Sequence, residues 1–144
     1  MKKNTKGFTL IELLAVIVIL AIIALIAVPV ILNILSKARQ SAAEDTCYSV
    51  LNAAELYYAE TLLDAPTAAF VDTTFTFGAN GAVTIDPAPA AAYNRTLSLK
   101  GSKPTAGVVT VTSEGKASIT SALTIGEMSC TQTSADAEVV CEKQ

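Results

Sequence analysis

The chain of 144 residues contains no histidine. Without an imidazole there is no Ser-His or Cys-His pair to activate a nucleophile, and no glycine-rich phosphate loop occurs either. Cysteine is scarce, at three residues, and Cys47, Cys130 and Cys141 lack the close pairing of a zinc finger. The sequence therefore calls for no catalytic residue, no metal and no cofactor. The formal net charge is −3. An acidic chain offers no broad electrostatic surface to nucleic acid, and no local basic patch is marked. The aspartates and glutamates of the second half scatter between turn and strand segments, most simply as solvated surface.

Two further absences organise the chain. Charge is missing from Leu13 to Leu32, where only Pro29 interrupts the helix formers. That run is about the 20 residues an α-helix needs to cross a hydrocarbon core. Glycine and proline are missing from Asn33 to Leu63. There Cys47, Val50, Leu51, Ala54, Tyr57, Tyr58, Thr61 and Leu62 recur close to the i, i+3, i+4, i+7 pattern of an amphipathic helix. Lys37, Arg39, Glu44, Asp45, Glu55 and Glu60 lie mostly off that stripe. Ala65-Pro66 ends it, since a helical residue is disfavoured before proline. A helix from Phe8 to about Leu63 would be roughly 84 Å long at 1.5 Å per residue. No small domain buries such a rod, so its apolar half needs lipid or sister subunits.

What is present at the N-terminus is more specific. Lys2, Lys3 and Lys6 precede Gly7, and Phe8-Thr9-Leu10-Ile11-Glu12 opens the apolar run. An ionisable group in a membrane segment costs roughly 2.5–3.5 kcal/mol at the centre and marks function by default. If the chain is cut between Gly7 and Phe8, the new α-amine and Glu12 fall on one helix face. An ordinary secretory signal has a core of only 7–15 apolar residues, with Ser36-Lys37-Ala38 as a weak cut site here. A plain single-pass anchor fits the length but leaves Gly7-Phe8 and Glu12 without a purpose. The lysine bias slightly favours a cytoplasmic N-terminus.

Over residues 2–40 the sequence resembles the class III signal of type IV pilins and type II secretion pseudopilins. The resemblance implies cleavage after Gly7 by a membrane-embedded prepilin peptidase and N-methylation of Phe8. Glu12 would then neutralise the Phe8 amine of a neighbouring subunit during assembly. Loss of the three leader lysines makes the remaining chain three charge units more negative. Pro29 frees a backbone carbonyl near Leu25, and the family implies a point of bending or local melting there. The implied partners are sister subunits in a homopolymeric filament, the cytoplasmic membrane before assembly, the peptidase, and an assembly platform with its ATPase. The implied location is the cytoplasmic membrane and then an extracellular pilus. Adhesion, motility, biofilm formation or DNA uptake are the purposes of such a pilus. The alternative is a pseudopilin of a type II secretion or competence system.

From Thr67 onward the texture turns to strands. Phe70, Thr73–Phe77 and Val83–Ile85 surround Gly78-Ala79-Asn80-Gly81, an Asn-Gly turn signal. Asp86 to Ala92 reads as a loop. Further strands are expected at Thr96–Lys100, Val108–Thr112, Ala117–Thr120 and Ala122–Ile125, with Ser113–Lys116 as a turn. The expected organisation is a leader (1–7), a membrane or filament-core helix (8–32), its amphipathic continuation (33–63) and a β-rich head (64–144). The fold class is α+β and type IV pilin-like, the second half of the helix packing on a small antiparallel sheet. Three cysteines permit three single pairings, and an exported domain meets an oxidising compartment. The family resemblance implies Cys130–Cys141, closing a C-terminal loop, with Cys47 a buried thiol. Such a bond is worth roughly 3 kcal/mol in the chain-entropy model. Asn94-Arg95-Thr96 matches a glycosylation sequon.

Overall fold

One helix, α1 (Leu10–Asp64), is followed by the strands β1 (Thr73–Phe77), β2 (Val83–Asp86), β3 (Ala106–Val111), β4 (Ala117–Ile125), β5 (Met128–Thr131) and β6 (Val140–Lys143). The computed structural model describes residues 7–66, 69–88 and 96–144. The chain divides into two compact units, Met1–Ala38 and Arg39–Gln144.

In the first unit the helix continues through Pro29 without interruption. Pro29 has no N–H to give the carbonyl one turn earlier, so one backbone acceptor near Leu25 lacks its usual partner. Every large apolar side chain from Leu10 to Leu35 is exposed. This stretch is long and apolar enough to cross a membrane, and none of it is buried.

The second unit holds the core. Helix α1 ends where expected, with the Ala65 N–H donating to the Thr61 carbonyl at 3.1 Å just before Pro66. Its inward stripe is Ala43, Cys47, Val50, Leu51, Ala54 and Tyr57, all buried. Against it lies an antiparallel six-stranded sheet in the order β2-β1-β3-β4-β5-β6. The sheet contributes alternate residues, as its period of two requires. Thr73, Phe75 and Phe77 of β1 are buried, with Val109 and Val111 of β3 and Ile119 and Leu123 of β4. Tyr57 meets Phe75 edge to face, with centroids 5.1 Å apart. Such a pair adds about 0.5–1.5 kcal/mol beyond its buried area. Among the described residues no buried side-chain nitrogen or oxygen lacks a hydrogen-bond partner.

The helix-then-sheet order matches the expectation, and the first hairpin is where the Asn-Gly signal put it. Asn80 (φ 62°) and Gly81 (φ 69°) both take the left-handed conformation that Asn and Gly tolerate. The Ser113–Lys116 turn is also present, closed by the Thr112 N–H on the Lys116 carbonyl at 3.0 Å. Tyr58 docks that turn on the helix through its hydroxyl, 3.3 Å from the Ser113 carbonyl.

Several strand expectations are corrected. Thr96–Lys100 is not a strand; its alternation reflects buried Leu97 and half-buried Leu99, which pack against the core without strand pairing. Phe70 also lies outside any strand and packs its ring on Tyr58, with centroids 4.6 Å apart. Ala117–Thr120 and Ala122–Ile125 are one strand, and the β3–β4 register shifts near Val108 absorb the irregularity. The third strand starts at Ala106 rather than Val108. Strands β5 and β6 were not anticipated. A two-residue turn at Gly126-Glu127 leads into β5, with Gly126 at φ 61°, the Gly-X pattern of a tight hairpin. Asn94 and the leader residues before Gly7 lie outside the described residues.

Candidate processing and assembly site at the N-terminus

The helix begins at Leu10 rather than Phe8, because Thr9 is a far better N-cap than an apolar residue. The Thr9 N–H donates to Glu12 Oε2 at 2.8 Å, and the Thr9 hydroxyl donates to the same oxygen at 2.9 Å. In return the Glu12 N–H donates to Thr9 Oγ1 at 3.3 Å. Thr9-Leu10-Ile11-Glu12 is therefore a capping box. The carboxylate also lies at the positive end of the helix dipole, where negative charge is favoured. The T-x-x-E spacing carried this signal, although attention to the carboxylate in an apolar run passes over it. Phe8 precedes the cap, so it does not share a helix face with Glu12 in the uncleaved chain.

Gly7 and Phe8 are open to solvent, Phe8 at 84%. A Cβ built on Gly7 meets nothing within 4 Å. The fold of this chain thus imposes no requirement for glycine at that position. A requirement there would come from a molecule that reads the segment.

Cys130 and Cys141 form a disulfide between directly opposed residues of β5 and β6. Cys47 is a buried free thiol. Burial, with the Glu44 carboxylate adding to it, pushes that thiol up to about 12. The three sulfurs lie within 4.8 Å of one another. Two of them are spent in the disulfide, so the oxidised cluster cannot offer three thiolates to a metal. The disulfide bounds a loop that Gln132 organises. Its Nε2 donates to the Ala137 carbonyl at 2.8 Å while its Oε1 accepts the Ile119 N–H at 3.1 Å.

A long apolar helix opening on a capped carboxylate, followed by an antiparallel sheet, is an α+β, pilin-like arrangement. Residues 2–28 match the family model described as the prokaryotic N-terminal methylation motif. This is the class III signal of type IV pilins and pseudopilins, and it indicates a structural subunit processed by a prepilin peptidase and assembled into filaments. The apolar helix fits a membrane-anchored precursor. No match was found among curated proteins or among solved structures.

Proposed function

We propose that this chain is a prepilin: cut between Gly7 and Phe8, N-methylated on Phe8, and polymerised through its N-terminal helix into a type IV pilus on the cell surface. The observation that carries the reading is the exposed apolar helix with one carboxylate at its start. Burying a large apolar side chain is worth about 1.5–3 kcal/mol. Over the run from Leu10 to Leu35 this amounts to tens of kcal/mol, more than the ~5–15 kcal/mol that holds a typical domain folded. The helix must be covered, by lipid first and by sister helices later. A heterologous contact that does not close on itself gives an open helical polymer.

Within that apolar polymer, the amine of Phe8 and the Glu12 carboxylate of another subunit compensate each other. Either one alone would be a buried unpaired charge, which is strongly unfavourable. The disulfide-bounded C-terminal loop supports a pilus over a secretion pseudopilus, whose major subunits usually lack one. Adhesion, motility, biofilm formation or DNA uptake are the roles such a filament serves.

The test separates the charge of Glu12 from its cap. Glutamine is accepted at the same capping-box position, so Glu12→Gln keeps the cap and removes the charge. Loss of a cap costs only ~1 kcal/mol, too little to prevent polymerisation. Glu12→Gln and Glu12→Ala are both expected to be processed, and both to be missing from filaments sheared off the cells. Filaments of Glu12→Gln at wild-type yield would remove the charge-compensation mechanism.

A further inference from the structure

The disulfide between β5 and β6 accounts for two of the three clustered sulfurs and leaves the third without a purpose. As packing, Cys47 needs only to be small and apolar. Instead its thiol lies within 4.8 Å of both sulfurs of a disulfide, in a site where all three cysteines are at most 1% exposed. Once deprotonated, a thiol so placed is a nucleophile beside its electrophile. The neighbouring residue fixes the arrangement, since the Tyr48 hydroxyl accepts the Val139 N–H at 3.1 Å. That bond ties α1 to the segment leading into Cys141.

We propose that Cys47 is an internal exchange thiol for the Cys130–Cys141 disulfide. In the exchange the Cys47 thiolate attacks Sγ of Cys130 or of Cys141. A new bond forms from Cys47 to the attacked sulfur as the Cys130–Cys141 bond breaks. The displaced sulfur leaves as a thiolate and takes up the proton that Cys47 released. One thiol and one disulfide are present before and after, so no oxidant or reductant is consumed.

The two alternative products tie α1 to β5 or to β6, whereas the resting bond ties β5 to β6. Their use is in maturation. Oxidation of three thiols first joins whichever pair collides, and the short separation of 11 residues favours Cys130 with Cys141. A chain that closes Cys47 onto either partner leaves the other partner's thiol beside that bond. The reverse step, in which that thiolate attacks its partner and displaces Cys47, restores Cys130–Cys141. Once the head is packed, the raised thiol of Cys47 leaves little thiolate, and the resting pair is kept.

The test uses full-length chains in detergent, oxidised under the conditions that close the wild-type bond. Cys130→Ser and Cys141→Ser are each expected to form an intramolecular disulfide to Cys47. Unreduced intact mass would read two hydrogens below the reduced form, and peptide mapping would identify the link. Two free thiols in both variants, with the circular dichroism of the wild type, would overturn the proposal. Because serine at either position can impair folding, the wild-type chain supplies a second readout. It is reduced, reoxidised with glutathione, freed of glutathione, then quenched in acid and mapped over time. Cys47-linked isomers are expected early and are expected to convert to Cys130–Cys141 with no external thiol present. Their persistence, or their absence from the first time points, would equally overturn it.

Discussion

Gly107 sits on β3 at φ 115°, a conformation that side chains rarely adopt. A Cβ there would overlap the Ala122 carbonyl oxygen and Leu123 on β4. Backbone cannot move aside as a flexible side chain can. Strained dihedrals cost of order 1–3 kcal/mol each, and overpacking typically adds 1–3. Gly107→Ala is therefore expected to destabilise the head by about 2–4 kcal/mol, read as a lower urea midpoint for the full chain in detergent. An unchanged midpoint would show that the β3–β4 contact is looser than described. Glu12 illustrates the same scale in another way. Its position in an apolar run was legible because a carboxylate there is costly. Its capping role was less so, because T-x-x-E is a short pattern whose weight comes from knowing that the helix starts at Leu10.

Among the elements, β4 is longer than its neighbour β5. Strand β5 pairs only with Leu123 to Ile125, and among the described residues the earlier part of β4 has no strand on that side. Side chains take over. Glu55 of α1 accepts the Ala117 N–H at 3.4 Å, and Gln132 accepts the Ile119 N–H at 3.1 Å. The Lys116–Asp136 pair at 2.7 Å adds a tether from the start of β4 to the same loop, but an exposed ion pair is worth little. Gln132→Ala is expected to cost about 1 kcal/mol for the lost bonds. Amide exchange should quicken at Ile119, and residues 133–138 should become open to proteases. Unaltered exchange at Ile119 would assign the order of that loop to the disulfide alone. Strands β1 to β4 were legible because Thr, Val, Phe and Ile alternate between turn signals. Strands β5 and β6 were not, because Met128-Ser129-Cys130-Thr131 and Val140-Cys141-Glu142-Lys143 are four residues each and poor in β-branched and aromatic side chains. Their pairing is set by the Gly126-Glu127 turn and by the disulfide, and neither is a property of the strands' own composition.

For the whole molecule, the two units differ in what holds them. The unit Arg39–Gln144 closes a core between α1 and the sheet, with a disulfide at its end. The described part of the unit Met1–Ala38 is a helix with no core of its own. The sequence places a boundary after Leu32, where the apolar run ends, whereas the compact units divide between Ala38 and Arg39. Which cysteines pair was not legible from the residues, as three pairings fit the count. The antiparallel register of β5 and β6 sets Cys130 opposite Cys141.

Intact-mass spectrometry of the unreduced protein recovered from the cell surface tests the central claim most directly. The account predicts a chain that starts at N-methylated Phe8 and is two hydrogens lighter than the reduced form. A chain that starts at Met1, or after Ala38, would contradict it and leave a plain anchor or a secreted protein in place of a filament subunit.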